Sequence, residues 1–256
     1  MVIAIVQPDI IWEDKLKNFE KLGRIISAIP DGTDIIILPE MFNTGFSMNP
    51  GELAEPPGSQ TYEWMKRIAG ERKCGICGSY IIERDNLYYN TLLFVSHEAD
   101  VYSYDKRHLF SPGSEDRLFN HGQERIVFSF RGIRICPNIC YDLRFPVWSR
   151  NRNDYDLLVN SANWPGSRRD VWITLLKARA IENQCYVAGA NRVGIDGTGI
   201  RYSGDSMIIG PRGEVITSSR SGVECFITGD IRIDDLNDFR EKFPVLKDGD
   251  TFTLGS

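Results

Sequence analysis

Three chemically capable side chains each follow an apolar run in this chain of 256 residues. DIIIL (Asp34 to Leu38) leads into Pro39 and Glu40, VYSYD (Val101 to Asp105) into Lys106, and GIRICPNI (Gly132 to Ile139) into Cys140. Ligand sites in open α/β sheets lie beyond the carboxyl ends of strands. A carboxylate, an ammonium and a thiol therefore stand where strands deliver side chains. A carboxylate can move protons, a thiolate can attack a carbonyl or hold a metal, and a cation can stabilise developing negative charge. Taken singly, each has a plainer reading: a solvated Glu, a surface Lys, a small buried Cys. Cys140 also precedes YDLRFP, which reads as the start of a helix, and a thiol at a helix N-terminus has its pKa lowered.

The elements that must position these groups alternate between two periods. Val2 to Val6 reads as a buried strand. Asp14 precedes a helical spacing of Leu16, Phe19, Leu22, Ile25, Ile26 and Ile29. Asp34 to Leu38 is fully apolar, as in a sheet covered by helices. Ser59 to Ala69 reads as a helix. Strands are expected over Cys74 to Ile82, Leu87 to Val95, Val101 to Tyr104, Ile126 to Phe130, Ile133 to Ile139, Asp156 to Asn160 and Cys185 to Ala190. Asp170 is expected to cap a helix running through Asn183. Asp205 to Ile209 and Glu214 to Thr217 form a hairpin about Pro211-Arg212-Gly213, and Cys225 to Ile231 is a last strand. Interleaved strands, hairpins and helices predict an α/β plan, a mixed sheet or a layered α-β-β-α arrangement. One domain spanning 1–256 is expected, with a tail from about Asp234 that packs on a partner subunit.

Composition narrows the function classes. At 42% hydrophobic and 25% charged the chain is of ordinary globular type. A net charge of −5 with interspersed signs lacks the basic footprint of a nucleic-acid binder. The apolar start, MVIAIVQPDI, has no basic leader or small-residue cleavage site, and no run reaches membrane-spanning length. A cytoplasmic address follows as the expectation, with reduced thiols for all six cysteines. Cys74-Gly75-Ile76-Cys77 matches a C-x-x-C metal or redox pair. No second ligand pair has zinc spacing, and a strand would turn the two thiols to opposite faces. Cys136 and Cys140 are an i,i+4 pair, but Pro137 argues against the helix that would align them. His97, His108 and His121 are scattered; His108 is expected to pack near the site in a structural role.

The three strand-end groups belong to longer motifs. LPEMFNTGFSM (Leu38 to Met48), YDKRHLF (Tyr104 to Phe110) and NICYDLRFP (Asn138 to Pro146) resemble, in order and spacing, the glutamate, lysine and cysteine motifs of the nitrilase superfamily of carbon–nitrogen hydrolases. NWPGSRRDVWITLLKARAIENQCYVAGANRVG (Asn163 to Gly194) is similar to the family's segment after the cysteine, so the resemblance covers nearly the whole chain. Within the family the sequence looks closest to the bacterial ω-amidase and Nit2-like branch. The resemblance implies a four-layer α-β-β-α sandwich and a homodimer. It also implies a thiol amidohydrolase that needs no metal or organic cofactor and releases ammonia from the ω-amide of a 2-oxo dicarboxylic acid monoamide. An aliphatic amidase, nitrilase or carbamoylase shares the same triad. By resemblance Cys140 is the nucleophile, Glu40 the general base and acid, and Lys106 with the Tyr141 N–H the oxyanion stabilisers. A second glutamate is expected on the loop FSPGSEDRLFNHGQER, with Glu115 favoured over Glu124. For the far carboxylate of such a substrate a planar guanidinium suits best. Arg144, Arg168 and Arg169 are the candidates, and Phe42, Phe46, Tyr141 and Trp164 candidate apolar walls.

Overall fold

The computed structural model describes residues 1–254. The chain forms β1 (Val2–Gln7), α1 (Lys15–Ser27), β2 (Ile35–Ile37), α2 (Pro50–Leu53), α3 (Gln60–Arg72), β3 (Gly75–Arg84), β4 (Leu87–Ser96) and β5 (Val101–Asp105). It continues through β6 (Phe128–Phe130), β7 (Ile133–Ile139), β8 (Leu157–Ala162), α4 (Arg169–Asn183), β9 (Tyr186–Asn191), β10 (Val193–Ile195) and β11 (Arg201–Ser203). β12 (Met207–Ile209), β13 (Val215–Ser218), β14 (Cys225–Asp230) and α5 (Ile233–Lys242) complete it.

Two six-stranded mixed sheets result, ordered β14-β1-β2-β3-β4-β5 and β13-β12-β9-β8-β7-β6. Each has a parallel centre, β1-β2-β3 or β7-β8-β9, flanked by antiparallel strands. Alternation along the central strands builds the layers. Ile3, Ile5, Ile35 and Ile37 meet Ile135, Ile139, Leu157 and Val159 of the second sheet in one core. Ala4, Val6 and Ile36 point the other way, onto Phe19, Leu22 and Ile26 of α1 and Met65 and Ile68 of α3. On the far side Leu158 and Val187 pack against Trp172 and Leu176 of α4. The order is therefore α-β-β-α. Sheets apolar on both faces need cover on both, and each fully buried aliphatic side chain contributes about 1.5–3 kcal/mol.

Local details differ from the sequence expectation in a few places. Asp14 caps α1, its carboxylate accepting the Lys17 N–H at 3.1 Å. Leu16, at the margin of that helix's apolar stripe, stands 62% exposed. Asp170 does not cap α4: the helix begins one residue earlier, and Asp170 sits in its first turn with no cap bond. Pro137 lies inside β7, and the strand continues through it. The stretch after 233, expected as a tail, begins with α5. Leu236 of α5 is fully buried in the inter-sheet core, and Arg240 bonds Asp156 at 2.7 Å. The β10–β11 hairpin has no counterpart in the expectation. Among the described residues no helix is long and apolar enough to cross a membrane.

Candidate active site

β2, β5 and β7 end at one place. Glu40 follows β2 on a segment sewn to β3: Leu38 N donates to Cys77 O at 2.7 Å, Met41 N to Ser79 Oγ at 2.9 Å and Phe42 N to Ser79 O at 3.1 Å. Gly78 permits this approach, because a Cβ there would lie 2.7 Å from Leu38 and 2.8 Å from Phe42. Lys106 follows β5. Cys140 follows β7 at φ +43°, the left-handed region, and opens a five-residue 3-10 turn, Cys140–Arg144.

Glu40, Lys106 and Glu115 are all fully buried. The Lys106 ammonium donates to Glu40 Oε1 at 2.7 Å and to Glu115 Oε1 and Oε2 at 3.1 and 2.8 Å. Phe110 N donates to Glu115 Oε2 at 2.6 Å. Glu124 is exposed and lines a separate groove, so Glu115 is the glutamate on Lys106. Two asparagines that sequence reasoning passed over complete the arrangement. Asn90, in the middle of β4, donates to Glu40 Oε1 at 2.8 Å and to Glu115 Oε1 at 3.0 Å. Asn163, just past β8, donates its N–H to Glu40 Oε2 at 2.9 Å and its amide to the Glu40 carbonyl. Asn163 O in turn faces Cys140 Sγ at 3.8 Å. The available signal was polarity out of place: an Asn inside an apolar strand and another at a strand end.

Electrostatics follow from two carboxylates sharing one ammonium away from water. Burial pushes the Lys106 pKa down, but Glu115 and Glu40 push it up by more, and the side chain stays charged. Glu115 is held above the ordinary carboxylate range by burial, with the Glu40 charge adding to the effect against the opposing pull of Lys106. The Cys140 thiol is raised well above its usual value, first by burial and then by the Glu40 charge; Lys106 opposes both. This reverses the expectation of a thiol acidified by a helix N-terminus. The turn is a single short one, and desolvation beside a carboxylate outweighs it. Burial and the Glu40 charge both favour the protonated sulfur, and Glu40 is the carboxylate beside it.

The cleft above Cys140 has a volume of about 480 Å³. Phe46, Lys106, Tyr141, Arg144, Trp164 and Arg168 all line it. Arg144 lies over the Trp164 ring at 5.0 Å and Arg168 over Phe110 at 5.4 Å. Neither guanidinium pairs with a carboxylate among the described residues. Two other candidates fall away from the cleft. Phe42 is buried between sheet and helices, 5.7 Å from Trp64. Arg169 pairs with Asp205 at 2.9 Å, outside the lining. Unforeseen in the lining is the β10–β11 loop, with Asp196 and Tyr202 joined by a 2.8 Å hydrogen bond. Its carboxylate is already satisfied by Thr198 and Ile200 as well, which lowers the pKa of Asp196 despite burial. His108 stacks on Phe145 at 3.8 Å and bonds Asp142 at 2.8 Å. The Cys74 and Cys77 thiols pack in separate cores on opposite faces of the first sheet, which defeats the metal or redox pairing.

Known proteins share this architecture. The carbon–nitrogen hydrolase family model matches residues 2–241. Omega-amidase YafV of Escherichia coli (strain K12) is 42% identical over 254 residues, covering 98% of both chains. 2-Oxoglutaramate amidase of Bacillus subtilis (strain 168) is 33% identical over 251 residues, 96% of both. The crystal structure of XC1258 from Xanthomonas campestris, a CN-hydrolase superfamily protein with an arsenic adduct in its active site, superposes with a TM-score of 0.97. It is 38% identical and covers 100% of this chain and 99% of its own. With a family match over residues 2–241, two covered sheets and a thiol set beside a buried carboxylate–ammonium cluster, the chain belongs to the carbon–nitrogen hydrolase family of the nitrilase superfamily.

Proposed function

We propose that this protein hydrolyses the ω-amide of 2-oxo dicarboxylic acid monoamides, 2-oxoglutaramate and 2-oxosuccinamate, through a Cys140 thioester. The observation that carries the reading is one cleft with Cys140, Lys106 and, behind them, Glu40 at its base and, on its wall, two guanidiniums without carboxylate partners among the described residues. The names of the relatives, omega-amidase and 2-oxoglutaramate amidase, support it.

In this reading Cys140 Sγ attacks the amide carbon while Glu40 takes the thiol proton, as the raised thiol pKa requires. The oxyanion lies between the Lys106 ammonium and the Tyr141 N–H, which belongs to the first turn after β7, where N–H groups lack intrahelical acceptors. Collapse breaks the C–N bond, and Glu40 passes its proton to the leaving nitrogen, releasing ammonia. Water then loses a proton to Glu40 and attacks the thioester. A second oxyanion forms at the same donors and collapses to the free acid, and Glu40 returns its proton to the sulfur. Glu115 holds Lys106 in place. Every step uses side chains, backbone and water. Arg144 and Arg168 receive the far carboxylate, and Phe46, Tyr141 and Trp164 wall the intervening carbons. We further propose that the chain works as one domain over 1–256, as a cytoplasmic homodimer. The family resemblance supports the dimer, and a net charge of −5 fits an absence of nucleic-acid partners.

The test is ammonia release from 2-oxoglutaramate, glutamine, a simple aliphatic amide, a nitrile and an N-carbamoyl amino acid. Highest kcat/KM on 2-oxoglutaramate is expected, with loss of activity in Cys140→Ala. Turnover confined to the nitrile or the carbamoyl compound would overturn the substrate. Full activity in Cys140→Ala would overturn the mechanism.

A further inference from the structure

One carboxylate near the site remains outside the proposed chemistry. Asp142 is fully buried, and among the described residues His108 is its only side-chain partner that could carry positive charge. A buried carboxylate is costly unless hydrogen bonds replace its water. Four donors do so. Tyr104 Oη and Ile139 N donate to Oδ2 at 2.8 and 3.0 Å, while His108 N and Nδ1 lie 2.9 and 2.8 Å from Oδ1. Trp148 Nε1 holds the Tyr104 hydroxyl in turn, at 2.9 Å.

The donors flank Lys106 on both sides and Cys140 on one. Tyr104 and His108 stand two residues before and two after Lys106. Ile139 immediately precedes Cys140, and Asp142 itself follows by two. One side chain thus fixes both flanks of the lysine to both flanks of the cysteine. Cys140 also needs such fixing: at φ +43° a non-glycine residue is strained, and surroundings must hold it there. The bond from Ile139 N closes across Cys140 and defines the turn that aims both Sγ and the Tyr141 N–H.

We infer that Asp142 is a positioning residue: a buried clamp that sets the Cys140 thiol and the Tyr141 N–H in register with the Lys106 ammonium. This rests on the proposed roles of Cys140 and Lys106. It predicts that loosening the clamp lowers turnover more than binding of a neutral amide: Phe46, Trp164 and Arg168 lie on other segments, while Tyr141 and Arg144 share the turn with Asp142.

The test uses Asp142→Asn in the full chain, which keeps the size but turns an NH2 group toward N–H or O–H donors. Ammonia release and alkylation of Cys140 by iodoacetamide, read at the Cys140 peptide by mass spectrometry, are compared with Ile26→Ala, a core change on the buried face of α1. At matched thermal stability, kcat should fall about 100-fold, the scale of one lost oxyanion donor, with KM for a neutral aliphatic amide, which does not call on Arg144, within about threefold. Cys140 alkylation should slow as well. Should Asp142→Asn fail to fold, Tyr104→Phe removes one of the four donors and keeps the ring; a several-fold lower kcat at unchanged KM is expected. Losses no greater than in Ile26→Ala, or an unaltered kcat in Tyr104→Phe, overturn the clamp. If Cys140→Ala is inactive while these variants are unimpaired, only the clamp fails; if Cys140→Ala is active, the proposed function itself fails.

Discussion

Replacing Lys106 by Met should expose how the site is held together. The ammonium sits 2.7 Å from Glu40 and 2.8 Å from Glu115 with all three side chains fully buried. At an effective dielectric near 20, each contact is worth roughly 6 kcal/mol of Coulomb attraction before desolvation is set against it. Removing one partner of a buried pair costs about 3–5 kcal/mol, a large share of the roughly 5–15 kcal/mol that holds a domain folded. Methionine preserves much of the packing, so the loss is mainly electrostatic. The two carboxylates then share Asn90 without a cation, and Glu115, already raised by burial and by Glu40, loses the attraction that opposed the rise. Its folded pKa climbs further above the free value of 4.5. The folded state then holds a proton that the unfolded chain releases, so stability is greatest below the unfolded carboxylate pKa and is lost as pH rises through the folded one. Each further unit of upward shift enlarges the total loss by about 1.4 kcal/mol and extends it to higher pH. Urea unfolding followed by circular dichroism at pH 5 to 8 reads both effects. The double variant Lys106→Met/Glu115→Gln should regain part of the stability and flatten the pH slope. An unchanged midpoint at pH 8 for Lys106→Met, with no downward slope, would refute the account of a charge cluster short of positive charge.

Three further outcomes follow from the same geometry. Glu40→Gln should lower kcat by about 10²–10⁴-fold, and because the Glu40 charge raises the Cys140 pKa, it should shift the alkylation pH profile of that thiol downward. An upward shift would contradict the electrostatics. Arg144→Gln and Arg168→Gln should raise KM for 2-oxoglutaramate by tenfold or more each, about 1.4 kcal/mol, and leave KM for a neutral aliphatic amide within about twofold; equal effects on both substrates would remove the carboxylate role. Gly78→Ala drives a methyl into Leu38 and Phe42, so it should cost about 1–3 kcal/mol in unfolding free energy and reduce kcat by displacing Glu40. A stable, fully active variant would show that the Glu40 segment is not set by that contact.

Much of this protein is written locally. Continuous apolar runs mark the central strands and helical apolar spacing marks α1 and α4, because burial on one or both faces leaves its mark on neighbouring residues. Glu40, Lys106 and Cys140 are recognisable because each ends such a strand, and each lies within a motif. Other features depend on partners far along the chain. Asn90 gains its role from Glu115, 25 residues on, and Asn163 from Glu40, 123 residues back. Phe42 and Phe46 are four residues apart in one motif, yet the first enters the helix–sheet core and the second the cleft. Nothing in their types distinguishes them.

The chain's own order of residues thus specified an α/β plan, its family motifs and the ends of strands where reactive groups emerge, and the resemblance those motifs carry implied the four layers. The protonation state of Cys140 was decided elsewhere. Local reading placed the thiol at a helix start and acidified it; tertiary packing sets it, half-buried, at the base of the cleft beside Glu40, where desolvation and that charge raise its pKa. Charge energies depend on distance and on the water excluded, and both are set only when β2, β5 and β7 converge.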